Sequence, residues 1–267
     1  MLLSRLPEAL SVQVFHWGHD EGSGVFTNTT IIYRDLFPKS ALVDKGLLQV
    51  LLREVVTTMV PVTSNSKTMI RHESSADTDK VSIGDFGALD GQYSAWLNDT
   101  GVFEAFAVEG SPNVADLTDG KVNYGDLTKD LSAQLPGWLI EGKTAKTGGF
   151  DLVLCIEVAE HIPLDKQKEF LANLDRFARG GLVISWAPPH ILGEGHVATM
   201  EFEDSRKLIE QTMVGMKLER EVTAKLRAKS DIAWIRETIA FYRRDEEFLD
   251  SPLRTQITAF PRQREEL

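Results

Sequence analysis

"VSIGDFGALDGQY", residues 81–93, admits two readings, and the choice between them decides the fold. Asp85-Phe86-Gly87 alone spells the magnesium-binding triplet of protein kinases. The whole stretch instead reads as an apolar strand, Val81 to Phe86, running into a glycine turn and a helix that begins near Gln92. A kinase would need a glycine-rich loop, a lysine-bearing strand and a His-Arg-Asp catalytic loop before residue 85, and the sequence has none of them. The strand–turn–helix reading therefore stands. It places bare backbone at Gly87 and Gly91, at the carboxyl end of a strand, where a small ligand can approach.

From Val81 onward, short apolar runs alternate with amphipathic ones. Strands are predicted at Lys80–Phe86, Phe103–Glu109, Lys121–Tyr124, Phe150–Ile156, Gly181–Trp186, Lys217–Ala224 and Thr238–Arg243. Helices are predicted at Gln92–Thr100, Leu164–Ala178 and Phe202–Met213. Such alternation implies parallel pairing through crossovers, hence an α/β, doubly wound, Rossmann-like and mostly parallel seven-stranded sheet with helices on both faces. Residues 1–80 read as an N-terminal extension or substrate cap, with a helical apolar face from Leu42 to Met59 that Pro61 ends. Residues 81–245 form the main domain, and residues 246–267 a charged tail.

A phosphate-loop pattern also occurs, Gly137-Trp138-Leu139-Ile140-Glu141-Gly142-Lys143-Thr144. Such a loop must open a helix whose amino end holds the phosphates. Only Ala145 to Gly149 separate it from the next predicted strand, so it is set aside as a chance match.

Acids sit at three successive strand tips. Asp85 ends the first strand, Glu109 the second, about 24 positions on, and Asp126 follows the third. An acid at the tip of the second strand is placed to accept hydrogen bonds from both hydroxyls of a ribose. Histidines follow later strands: His161 after the fourth, beside Glu157 and Glu160, and His190 and His196 after the fifth in a loop with Gly193 and Gly195. A histidine there could deprotonate a substrate hydroxyl. His196 is the better candidate for base or substrate contact, and His161 could instead only orient its loop.

Together these residues resemble class I S-adenosylmethionine-dependent methyltransferases over about residues 80–245. The family's first motif, [DE]-x-G-x-G-x-G, is matched by Asp85-Phe86-Gly87-Ala88-Leu89-Asp90-Gly91, with Leu89 in place of the middle glycine. "FDLVLCIEVAEHIP", residues 150–163, resembles the family's fourth-strand segment, and "GGLVISWAPP" its fifth strand. The resemblance implies S-adenosylmethionine as cofactor, with Asp85, Gly87 and Gly91 around its methionine and sugar. It further implies Glu109 on the ribose hydroxyls and Asp126 on the adenine amino group. Glu157 is grouped with this cofactor-side set, although it could equally cap a helix or face substrate. The implied reaction is methyl transfer to a hydroxyl or other nucleophile of a small-molecule or sugar-like acceptor. The alternatives are a catalytically inactive relative serving as a binding or scaffolding module, suggested by Leu89, and an NAD-dependent dehydrogenase.

Composition narrows the partners. Lys+Arg 29 against Asp+Glu 40 gives a net charge of -11, which works against phosphate backbones and anionic membranes, so no nucleic-acid or membrane partner is expected. The single cysteine, Cys155, excludes an intramolecular disulfide framework and a multi-cysteine zinc site, and lies within an apolar strand as a buried thiol. No resident metal is expected; His16 and His19 read as solvated loop residues. A cytoplasmic location follows from the absence of a leader pattern in residues 1–14 and of a spanning apolar run.

Overall fold

The computed structural model describes residues 11–19, 26–34, 43–55, 80–136 and 149–248. Two strands, β1 (Ser11–His19) and β2 (Phe26–Arg34), form an antiparallel pair. The helix α1 (Lys45–Val50) follows, continued by a wider turn at Leu51–Val55. The main sheet contains β3 (Val81–Phe86), β4 (Phe103–Glu109), β5 (Val122–Tyr124), β6 (Phe150–Cys155), β7 (Ala178–Ile184), β8 (Met216–Leu218) and β9 (Ala240–Arg244). Between them lie α2 (Gln92–Asp99), α3 (Val114–Leu117), α4 (Gln167–Phe177), α5 (Phe202–Thr212), α6 (Arg220–Lys229) and α7 (Ala233–Thr238).

The seven strands run in the order β5-β4-β3-β6-β7-β9-β8. All pairs from β5 to β7 are parallel, and β9 lies antiparallel between β7 and β8. Chain order reverses at β3, which pairs with β4 on one side and β6 on the other. That reversal opens a crevice above the carboxyl ends of β3 and β6, where ligands of such sheets bind.

Strands covered on both faces read as nearly continuous apolar runs, and five of the six residues of β3 are buried. One face packs Phe86, Phe150, Val153 and Leu182 under α4 and α5. There Phe86 meets Phe150 and Phe177 edge to face at centroid distances of 5.9 and 5.6 Å, contacts worth about 0.5–1.5 kcal/mol each beyond burial. The other face packs Ile83, Leu152, Leu154 and Phe241 under Leu47, Leu48 and Leu51 of α1 and its continuation, and under Val222 and Leu226 of α6. Thus α1, inside the stretch the sequence marks as an extension, is part of the sheet's helical cover. Asp44 fixes it there: its carboxylate caps α1 through Leu47 N–H at 2.8 Å and also accepts from Ser230 Oγ and from Asp231 N–H at 2.9 Å.

The predicted boundaries of β3, β4, β5 and β6 agree with the structure to within one residue, and β7 begins three residues earlier, at Ala178. The region 217–224 differs. It holds a three-residue strand and then α6, whose Val222 and Leu226 face the core one helical turn apart. The hairpin β1–β2 and the short helix α7 were not anticipated either. The phosphate-loop pattern, the polar stretch before Lys80, Pro61 and the tail from Ser251 lie outside the described residues. Among the described residues, no helix is long and apolar enough to cross a membrane.

Candidate active site

The crevice is built from the turns that leave β3, β4, β5, β6 and β7. After β3 the chain reverses at Gly87, whose φ of 82° lies in the left-handed region, and the N–H groups of Gly87 and Ala88 both donate to Val108 O, at 2.8 and 3.0 Å. A Cβ on Gly87 would run into Val158 Cγ2, so the β3 turn and the β6 exit loop approach too closely for any other residue. Leu89 takes a φ of 53°, so the residue standing in place of the motif's middle glycine adopts a glycine-like backbone. Gly91, at φ 80°, caps α2 without offering a side chain.

That missing cap is supplied from the strand. Asp85 Oδ2 accepts from Ser94 N–H at 3.2 Å and Ser94 Oγ at 2.8 Å, satisfying an orphan donor of the first turn of α2. Burial raises the Asp85 pKa from 3.8 to about 6, against the pull of these bonds.

Glu109 holds the turn from the neighbouring strand. Its Oε2 accepts from Leu89 N–H at 3.1 Å, and its Oε1 from Ser111 N–H and Oγ, both at 3.0 Å. Burial again pushes its pKa up, while these N–H and O–H donors oppose the shift. Asp126 differs. Its Oδ1 accepts from Thr128 N–H at 2.9 Å and Thr128 Oγ1 at 2.7 Å, and its Oδ2 pairs with Lys129 at 2.9 Å, so its carboxylate is taken up by its own turn.

Beyond β6, Glu157 sits at a φ of 59°; its N–H donates to Ser185 Oγ at 2.6 Å, and that hydroxyl donates to Glu157 Oε1 at 2.7 Å. Burial raises its pKa, with Ser185, His196 and the Trp234 side chain pulling the other way. Glu160 is fully buried, and neither carboxylate oxygen has a hydrogen-bond partner. The backbone N–H groups of Glu160 and Ala187 lie where they favour its charged form, but without hydrogen-bond geometry. Burial and the nearby Glu157 charge push its pKa to about 8.

The loop after β7 folds back over this segment. Val197 and Ala198 N–H both donate to Glu160 O at 2.9 Å, and Trp186 Nε1 donates to Ala198 O at 2.8 Å. The fold thereby brings His196 against His161, rings edge to face at a centroid distance of 5.0 Å. His161 Nδ1 lies 3.0 Å from Gly195 O and His196 Nδ1 3.1 Å from Ile191 O. His190 is elsewhere, paired with Glu237 at 2.6 Å on the exposed surface. Cys155 is buried with its thiol pushed well above the ordinary range, which excludes a nucleophile.

The structure thus gathers Asp85, Gly87, Gly91, Glu109, Glu157, His161 and His196 along one sheet edge and leaves His190 out. Sequence reasoning missed the serines 94, 111 and 185 that hold three of the acids, the proximity of Trp234 to Glu157 and the complete burial of Glu160. A serine within two residues of a strand-tip acid, as at Ser111, was the one readable signal.

No family profile and no curated protein matches the chain. Among solved structures it is similar to magnesium protoporphyrin IX methyltransferase from Synechocystis PCC 6803 with bound SAM, at 17% identity over 74% of this chain and 79% of that one, TM-score 0.44. It is also similar to a SAM-dependent methyltransferase from Archaeoglobus fulgidus, at 14% identity over 63% and 87% of the two chains, TM-score 0.43. A TehB-like SAM-dependent methyltransferase from Corynebacterium glutamicum shares 19% identity over 62% and 80%, TM-score 0.41. Likenesses this distant say nothing of activity or acceptor.

Proposed function

We propose that the protein is a methyltransferase that binds S-adenosylmethionine in the crevice at β3 and β6 and methylates a hydroxyl or other nucleophile of a small acceptor. The observation that carries this reading is the chemistry of the sheet edge. Asp85, Glu109, Glu157 and Glu160 present acceptor oxygens there, and among the described residues none is paired with a lysine or arginine. Such an edge suits a ligand rich in hydroxyl and ammonium donors and bearing positive charge. It repels the phosphates of a nicotinamide dinucleotide. The antiparallel β9 between β7 and β8 also departs from the parallel second half of a dinucleotide-binding sheet.

When bound, S-adenosylmethionine supplies a methyl group already activated on a sulfonium. The protein's part is alignment and proton handling. Glu109 is oriented by Leu89 and Ser111 and uses three of its roughly four acceptor positions on them, which leaves capacity for a ribose hydroxyl. Asp85 shapes the turn through Ser94. Glu157 is aimed by Ser185, next to the β3 turn that Val158 touches. Asp126, with both oxygens engaged, would shape the adenine pocket through its turn backbone. His196, and His161 beside it, would accept the acceptor's proton at Nε2, since Nδ1 of each faces a carbonyl and must carry the hydrogen. The part of residues 1–80 before α1 is the candidate cover over the acceptor.

Calorimetric titration of S-adenosylmethionine and of its demethylated product tests the reading. Saturable binding by the wild type, weakened at least about tenfold in Glu109→Ala, is expected, since a charged hydrogen bond contributes about 1.5–3 kcal/mol. Wild-type protein that binds neither ligand would overturn it and favour a non-catalytic binding module, and preference for NAD in competition would favour a dehydrogenase.

A further inference from the structure

Glu160 poses a physical problem that methyl transfer does not answer. A carboxyl group with no solvent contact and no hydrogen-bond partner for either oxygen is costly in either protonation state. Its surroundings are not apolar filler. One ring nitrogen each of His161 and His196 and one oxygen of Glu160 all lie within 4.8 Å of one another. Three ligands spread around one cation with bonds near 2.1 Å lie about 3.4–3.6 Å apart, so a side-chain contraction of at most about 1.4 Å closes the set.

The rings are also held in the manner that metal binding requires. A carbonyl oxygen can only accept, so Gly195 O and Ile191 O fix the hydrogen on Nδ1 of His161 and His196. In the neutral rings the lone pair then belongs to Nε2. A backbone carbonyl on the second nitrogen is the usual outer partner of a metal-ligating histidine. Glu157 adds a second carboxyl group near Glu160, and among the described residues no lysine or arginine pairs with either. The backbone bonds from Val197 and Ala198 to Glu160 O tie the two ligand-bearing loops together, so the three side chains are held before any ion arrives.

We propose that Glu160, His161 and His196 form a binding site for one divalent first-row transition metal ion. Two imidazoles and one carboxylate favour manganese, iron, cobalt or zinc over magnesium and calcium, which prefer all-oxygen sets. Three protein ligands leave coordination positions open, the arrangement of a working rather than a structural centre. An acceptor oxygen could enter such a position. A histidine whose Nε2 holds a metal has no lone pair for a proton, so metal occupancy turns His196 and His161 from bases into ligands. The site is independent of the methyltransferase reading, because it can fill whether or not S-adenosylmethionine binds.

The test uses the full-length protein after chelator treatment and dialysis, without S-adenosylmethionine. Cobalt(II) is titrated while visible absorption is recorded, and zinc(II) is titrated by calorimetry. One equivalent should bind saturably with ligand-field bands, and Glu160→Gln and His196→Ala should each weaken it by at least about tenfold. His190→Gln, which alters the exposed pair with Glu237, should leave it unchanged. A wild type without saturable binding would overturn the proposal, as would binding that survives both substitutions or is lost only in His190→Gln. Should either variant fail to fold, the wild type alone still decides. Zinc should slow chemical acylation of His161 and His196, mapped by mass spectrometry, and leave His190 as reactive as before. Equal reactivity with and without zinc would overturn the site.

Discussion

The two edges of the sheet treat buried charge in opposite ways. At the edge where β7 begins and β9 ends, Arg244 is buried, yet it donates to Asp175 Oδ1 at 2.6 Å, to Ala178 O at 2.8 Å, to Arg179 O at 3.0 Å and to Val214 O. Nearby, Asp151 Oδ2 accepts from Ser82 N–H at 2.9 Å and from Ser82 Oγ at 2.8 Å, and Arg179 Nη1 lies 3.5 Å from Oδ1. At the carboxyl edge, Asp85, Glu109, Glu157 and Glu160 are buried or nearly so and have serines, backbone N–H groups or nothing. The same chain thus supplies cations to one rim and, Lys129 on Asp126 apart, withholds them from the acids of the other. Where a protein leaves acids uncompensated in a crevice, the missing positive charge is expected from a ligand.

Breaking the compensated rim should therefore cost most. Arg244→Met takes the guanidinium away from the buried Asp175 carboxylate and this donor away from the carbonyls of Asp175, Ala178, Arg179 and Val214. A loss of about 3–5 kcal/mol in urea-unfolding free energy is expected, with or without ligand. A loss below about 1 kcal/mol would show that the pair is not what secures this rim.

On the other rim the largest effect is steric. Gly87→Ala meets both a left-handed φ and Val158 Cγ2, and the combined cost is about 3 kcal/mol from backbone strain and overpacking. Val158→Ala in the same chain should recover the packing share and leave the backbone share. No recovery would mean that strain alone fixes the glycine.

How far this contrast could be read beforehand depends on which residues carry it. The parallel strands were legible because burial on both faces makes them unbroken apolar runs between glycines, as in Val81–Phe86 and Phe150–Cys155. The segment after Met216 was not. Leu218, Val222 and Leu226 repeat every fourth residue, a helical signal, but β-branched residues and the brevity of the run favoured a strand. The acids at strand tips were visible, since each ends an apolar run. Their partners were not. Ser94 reaches Asp85 across the β3 turn, and Ser185, just past β7, reaches Glu157, a contact that only the pairing of β6 with β7 creates. The burial of Glu160 was hidden for a similar reason. "EVAEHIP" reads as an exposed loop, and only the return of residues 197 and 198 over it removes it from water.

The absence of a cation at Asp85 gives a pH signature. Its folded pKa of about 6 exceeds the ordinary 3.8, so the folded state binds more protons between those values, and stability must fall as pH rises through that window. About two pKa steps correspond to roughly 3 kcal/mol, complete above about pH 6. Asp85→Asn accepts the same bonds from Ser94 without ionising. Its stability relative to the wild type should improve by up to about 3 kcal/mol between pH 4 and pH 7, measured by urea unfolding at both values. A difference that does not change with pH would show that Asp85 ionises in place at no cost.

The smallest effect bears on whether Leu89 damages the acidic rim as a ligand site. Leucine at φ 53° costs about 1–2 kcal/mol, and a glycine would relieve that while adding about 0.4–1 kcal/mol of unfolded-state entropy. Leu89→Gly should therefore move the unfolding free energy by no more than about 1 kcal/mol. Binding is the sharper readout. The backbone already takes a glycine-like conformation and its N–H already holds Glu109 Oε2, so the substitution changes neither the turn nor the orientation of that carboxylate. S-adenosylmethionine affinity should then stay within about threefold, under 1 kcal/mol. A gain of tenfold or more would place the half-exposed leucine side chain in the ligand's path, and would make it, rather than the acids beneath it, the feature that sets what this edge can hold.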